Sequence, residues 1–178
     1  MKEKLMLLNT DNFNKFNNQS FNLTINKCPT VSDYVSSVSV PGLTLGEAMA
    51  DTPFITRKEP GDKIVFSVLS VTCILDENLA VWKEVYDWIA GLGFPENFQQ
   101  YKSFNRNIQT LLPPEETFSD ATLVLYNNQQ KPIMNLKFFD LFPIALGDIP
   151  MTTQETGDET LSIVMDFQYR SYGVEIIQ

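Results

Sequence analysis

Three pairs of adjacent carboxylates, Asp76-Glu77, Glu115-Glu116 and Asp158-Glu159, are the residue types in this chain best suited to acid–base work or to holding a hard cation. Paired carboxyls can divide the acid and base roles, and clustered oxygens can hold Ca²⁺. Each pair borders an expected turn or helix start, where acidic side chains are solvated or act as caps. None has the spaced ligands and glycine of a calcium loop, and nothing in the spacing brings two pairs together. Histidine is absent. That removes the commonest general base and the commonest metal ligand at once, and with them every Ser-His and Cys-His nucleophile and every His-containing zinc site. Gly91-Leu92-Gly93 opens like a dinucleotide fingerprint, but Glu96 follows and the motif ends a helix. A phosphate needs free amides at a helix start, so this match fails physically. No phosphate loop, G-x-S-x-G elbow or Cys-x-x-Cys occurs. No catalytic residue, metal site or cofactor is therefore expected.

Cys28 and Cys73 both fall in apolar, strand-like stretches, where a free cysteine behaves as a small buried hydrophobe. Reduced core thiols are the favoured reading, with a disulfide as the minor one. The 178 residues, 43% hydrophobic and 20% charged, suit one globular domain over 1–178. The formal net charge is −9. A protein gripping phosphates needs the opposite balance, so stable binding of DNA or RNA is not expected. The longest strongly apolar stretch, Ile64 to Leu75, contains Ser67, Ser70 and Thr72 and falls short of the roughly 20 residues that a membrane helix needs. A soluble protein made in a cytoplasm is the expectation.

The positioning elements read as mostly β. Residues 1–20 form an Asn-rich N-terminal arm, after which Phe21, Leu23 and Ile25 alternate with polar residues as a half-buried strand. A second strand is expected from about Asp33 to Val40, with Ser37 and Ser39 on its polar side, ended by Pro41-Gly42. Residues 41–63 read as a long excursion with an extended piece from Phe54 to Lys58 and a turn at Pro60-Gly61-Asp62. Ile64 to Leu75 reads as one long strand, apolar on both faces. Val81, Trp82, Val85, Trp88 and Ile89 then recur at helical spacing, with Asp76 or Asn78 as cap and Gly91 and Gly93 at the end. A looser helical period covers part of 94–119. Ala121 to Tyr126 and Pro132 to Phe138 form a hairpin across Asn127-Asn128-Gln129-Gln130, a connection follows over 140–158, and Leu161 to Arg170 alternates cleanly. Leu161, Ile163, Met165 and Phe167 are the expected core side of that strand. Of the two tryptophans, six positions apart on partly different helix faces, one is expected in the core and the other at an interface. The sum is an α+β, mostly β domain of about seven strands with one main helix.

Taken in order, the strand ending Val40-Pro41-Gly42-Leu43, the long excursion, Gly61-Asp62 opening IVFSVLSVTCILDENL, the helix WKEVYDWI, Leu141-Phe142-Pro143 and the terminal SIVMDFQYRSY resemble the tail tube proteins of contractile-tailed, T-even-like bacteriophages (myoviruses). The resemblance covers about residues 20 to 172. It is one of order and short motifs, and the N-terminal arm and 94–119 are not obvious parts of it.

The resemblance implies a β-sandwich or half-barrel flanked by one helix, with six copies in a ring and rings stacked into a hollow tube that conducts DNA inside a contractile sheath. It implies a virion structural protein of the tail and no enzyme. Partners would be further copies of the chain, the sheath protein, and baseplate and terminator proteins, with DNA passing without adhesion and no membrane. An acidic protein suits a negatively lined conduit, since like charge repels a polyanion. On this reading Ser162, Asp166 and Gln168 face the bore. Leu43, Leu45, Phe54, Ile55 and Trp88 meet neighbouring subunits or rings. The alternative within the same fold is a specialised paralogue, a baseplate tube initiator or a terminator ring. A monomeric ligand-binding β domain is a weaker rival, and an enzyme weaker still.

Overall fold

The computed structural model describes residues 16, 18–51, 53–93, 117–152 and 160–177. The first fifteen residues of the Asn-rich arm, the loose helical period in 94–116 and the stretch 153–159 lie outside them.

Nine strands and two helices follow in the order β1 (Phe21–Ile25), α1 (Pro29–Tyr34), β2 (Val35–Ser39), β3 (Leu43–Asp51), β4 (Thr56–Phe66), β5 (Leu69–Ile74), α2 (Ala80–Gly93), β6 (Ser119–Tyr126), β7 (Pro132–Leu146), β8 (Ser162–Gln168) and β9 (Ser171–Ile176). The architecture is the expected mostly β, antiparallel one with a single long helix. Fifteen-residue β7 is its spine. Its first half pairs with β6 and β9, its second with β8, so two sheets, β1-β6-β7-β9 and β7-β8-β5-β2, share one strand. The strand turns from one sheet to the other at Asp140, whose φ of 55° is in the left-handed region that Asp tolerates better than most residues. The Asp120 carboxylate accepts from the Asp140 amide at 3.3 Å, and Arg170 pairs with the Asp140 carboxylate at 3.0 Å.

The core lies in the angle between the sheets. Leu23, Ile25, Leu123, Leu136 and Phe138 come from one sheet; Leu69, Val71, Ile163, Met165 and Phe167 come from the other. Helix α2 closes the open side with Val81, Val85 and Trp88. Asp76 starts this helix by accepting from the amides of Asn78 and Val81 at 3.3 and 3.4 Å. Trp88 is only 2% exposed; its ring lies 6.4 Å from Phe167, and its indole donates to the Thr117 carbonyl at 3.3 Å. This corrects its expected role as a subunit contact: the chain's own core takes it, and Trp82 is the half-buried one. The two cysteines are free and buried.

Five other expectations change. Residues 29–34 form the short helix α1, favoured by Pro29 in its first turn, before the second strand begins. Ile64 to Leu75 is two strands: the chain pairs with β3 as far as Phe66 and enters the main sheet at Leu69. Pro60-Gly61 makes no turn. It sits inside β4 at an irregularity in the pairing, and the reversal comes between Asp51 and Thr56. The alternating terminal strand is interrupted at Tyr169-Arg170 and runs on past that bend beside β7 as β9, in the same register. Leu161 lies outside the core, 37% exposed, whereas Ile163, Met165 and Phe167 are fully inside it.

Two outcomes test this packing. Trp88→Ala removes a large side chain that has no room to be replaced and is expected to cost about 3–5 kcal/mol in urea unfolding. At Gly61 an added Cβ would meet the Gly46 carbonyl oxygen at 2.6 Å, backbone against side chain. Gly61→Ala is therefore expected to push β3 and β4 apart, speeding amide exchange in those strands while leaving the melting of the sheets unchanged.

Candidate assembly surfaces

The carboxylate pairs do not assemble a site. Asp76 is occupied as the cap of α2, and the other two pairs lie outside the described residues. No group of three or more metal-ligating side chains occurs among the described residues. Burial pushes the Cys28 thiol up to about 12, with the Glu84 charge adding to the effect, and burial alone does the same for Cys73. Both stay protonated at neutral pH, so neither serves as a nucleophile. What the fold presents to the outside is a set of surfaces.

One is the outer face of the β2-β5-β8 sheet. Strand alternation puts Leu69, Val71 and Cys73 inside, so Ser70 and Thr72 point out. Register then aligns Ser39, Ser70 and Asp166 across three strands, with Ser37, Thr72 and Val164 in the next row and Ile74 opposite Ser162 beyond. Ser162, Asp166 and Gln168 thus share one face. The Asp166 carboxylate accepts from the Ser70 hydroxyl at 2.5 Å. Sequence reasoning found the β8 members but missed Ser70 and Thr72, although their alternation with Leu69, Val71 and Cys73 was the available signal. Asp166 is the one charged residue of these three strands. The face mixes small hydroxyls with Val164, Ile74 and a single carboxylate, and is less acidic than the net charge suggests.

A second surface is the β3–β4 arm. The two strands pair with each other and with no other strand among the described residues. Leu43, Leu45, Ile64 and Val65 are more than half exposed along it, Ile55 is 68% exposed near the tip and Phe54 is 94% exposed. Its ion pairs, Lys58 with Glu47 at 2.9 Å and Arg57 with Glu59 at 3.6 Å, lie within the arm. An isolated two-stranded ribbon is marginal in water, and exposed apolar side chains on it mark a surface to be covered. The expected contact residues Leu43, Leu45, Phe54 and Ile55 are thus accessible, as Trp88 is not.

Third, Trp82 and Tyr86 stack at 5.0 Å on the outer side of α2 and line an open groove of about 660 Å³ with Ile89, Ile144 and Ile149. Asp148 is the charged residue in its lining.

No family model matches the chain. Over 171 residues, 92% of this chain and 90% of the other, it is 25% identical to the tail tube terminator protein of Enterobacteria phage T4. Among solved structures it is similar to a chain of the anti-feeding prophage tube-terminating cap, with a TM-score of 0.58, 12% identity and coverage of 97% and 100% of the two chains. A chain of the sheath–tube complex of the extracellular contractile injection system PVC gives 0.57, at 12% identity and 92% and 93% coverage. Its sheath/tube terminator structure gives 0.55, at 11% identity and 90% and 96% coverage. The overall fold is thus one shared with chains of those assemblies, and the protein resembles the tail tube family of contractile-tailed phages.

Proposed function

We propose that this chain is a structural subunit that terminates the tube of a contractile phage tail, acting in the virion as a ring of identical copies on the tube end. The observation that carries this reading is the similarity to a tube terminator along nearly the whole of both chains. It moves the terminator ahead of the stacked tube subunit that the order of motifs first suggests. Likeness to both a terminating cap and a sheath–tube complex fits a family in which stacking and capping subunits share one fold.

The surfaces suit such a role without chemistry. The arm, with Leu43, Leu45, Phe54 and Ile55, is the surface offered to neighbouring copies or to the tube below. Burying its apolar side chains favours association at roughly 25 cal/mol per Å² before ordering costs are met. The hydroxyl face with Ser162, Asp166 and Gln168 is the surface offered to the bore. Short polar side chains there present little for a base to stack on and no cation for a phosphate to hold. Contacts with the sheath protein and the neck side of the tail belong to the same reading, as does assembly in six copies.

Two measurements test it. Negative-stain electron microscopy across a concentration series, with and without preformed tubes of the same tail, is expected to show discrete rings alone and rings seated on one tube end. Long hollow tubes of the purified chain would instead make it the stacked subunit. Phe54→Ser with Ile55→Ser should abolish the rings while leaving the melting temperature within a few degrees, since neither side chain touches the core. Asp166→Lys, placing a cation on the hydroxyl face, is expected to slow or stall DNA ejection from assembled virions. Unchanged ejection would remove that face from the bore.

A further inference from the structure

The arm leaves the body at Pro41-Gly42 and returns at Ser67-Val68, where the chain passes from β4 into β5. An arm attached through two single strands would swing freely, yet this root is tied. The Ser67 amide donates to the Gly42 carbonyl at 3.0 Å, closing the two strands on each other. The Tyr169 hydroxyl then donates to the Ser67 carbonyl at 2.7 Å, and the Tyr172 hydroxyl to the Pro41 carbonyl at 3.2 Å. One tyrosine thus holds each strand of the root. Tyr169 lies in the corner between β8 and β9 and Tyr172 just beyond it in β9; Arg170 fixes that corner by donating its amide to the Phe139 carbonyl and its guanidinium to Asp140. Phe66, the last residue of the arm, sits with its ring edge-on to both, 5.9 Å from Tyr169 and 5.6 Å from Tyr172, and Phe138 backs the pair from β7.

We propose that Tyr169 and Tyr172 are the positioning residues of the arm: their hydroxyls clamp its two root strands to the β8–β9 corner and so fix the direction in which the apolar tip projects. The leverage follows from length. Nine-residue β3 extends about 30 Å at roughly 3.3 Å per residue, so a small rotation at the root moves Phe54 by many ångströms. A fixed direction lets a tip meet one place on a neighbouring copy without a further ordering cost at each contact. That this serves ring assembly rests on the proposed function; the clamp itself does not.

The test is a spin-label distance measurement between Met49→Cys on the arm and Glu77→Cys on the body. The native thiols will not compete, because Cys28 and Cys73 are buried. The labelled protein should give a narrow distance distribution, and adding Tyr169→Phe with Tyr172→Phe should broaden it at least about twofold. Exchange of the Ser67 amide, whose bond to the Gly42 carbonyl closes the root, should quicken about fivefold as the root opens more often without its two tyrosine hydrogen bonds. Circular dichroism and melting should stay near those of the parent, as both rings remain. Should the double variant lose its fold, Tyr172→Phe alone, at a half-buried ring, carries the same expectation. Tyr86→Phe, a hydroxyl outside the root, should leave the distribution unchanged. An equally narrow distribution in the root variants would overturn the proposal, as would equal broadening by Tyr86→Phe. Broadening accompanied by undiminished capping of tubes would keep the clamp and remove the arm from assembly.

Discussion

The bend in β7 at Asp140 is the constraint on which the rest of the structure depends. One strand has to serve two sheets, because a sheet of this size is hydrophobic on one face and must bury it. By turning a corner, β7 lets the β6 side and the β8 side face a common core, and α2 needs only to fill the open angle. Asp140 meets the turn with a left-handed backbone, a hydrogen bond from its amide and a partner for its carboxylate. The same Arg170 that pairs with it lies at the bend where β8 runs on into β9. Corner, β9 and the tyrosines that flank Arg170 are therefore one construction.

From that construction the division of labour follows. A core built between two sheets and one helix leaves the outer faces of the sheets free for other uses. On β2, β5 and β8 the free face is hydroxyl-rich because alternation has sent every apolar residue of β5 but Ile74 inward. The arm is the opposite case. It has no body beneath it, so its leucines, isoleucines and phenylalanine stay exposed in a single chain. Such a surface is one that another molecule would cover, as the proposed subunit role requires.

The chain has no histidine, its two buried thiols stay protonated and Asp76 is occupied as a helix cap. Similarity to a tube terminator and to chains of cap and sheath–tube assemblies is of one kind with the proposed subunit role.

The sequence alone determined the period-two strands β1, β6 and β8, the helix α2 and the buried cysteines. In these, local alternation, helical spacing and caps agree with the tertiary environment. It also carried enough order and motif to suggest the tail tube family. What it could not decide were features set by partners distant along the chain. Ile64 to Leu75 is one apolar run, and only its two different pairing partners divide it at Ser67. Pro60-Gly61 has the composition of a turn, yet the facing Gly46 draws it into a strand irregularity because there is no Cβ to keep the backbones apart. Trp82 and Trp88 lie on one helix at a spacing that leaves the core residue undecided, and the position of Phe167 on a strand 79 residues further along made it Trp88. The hydroxyl face exists only because register lines up serines from β2 and β5 with Asp166 of β8, and register belongs to the sheet, not to any one strand.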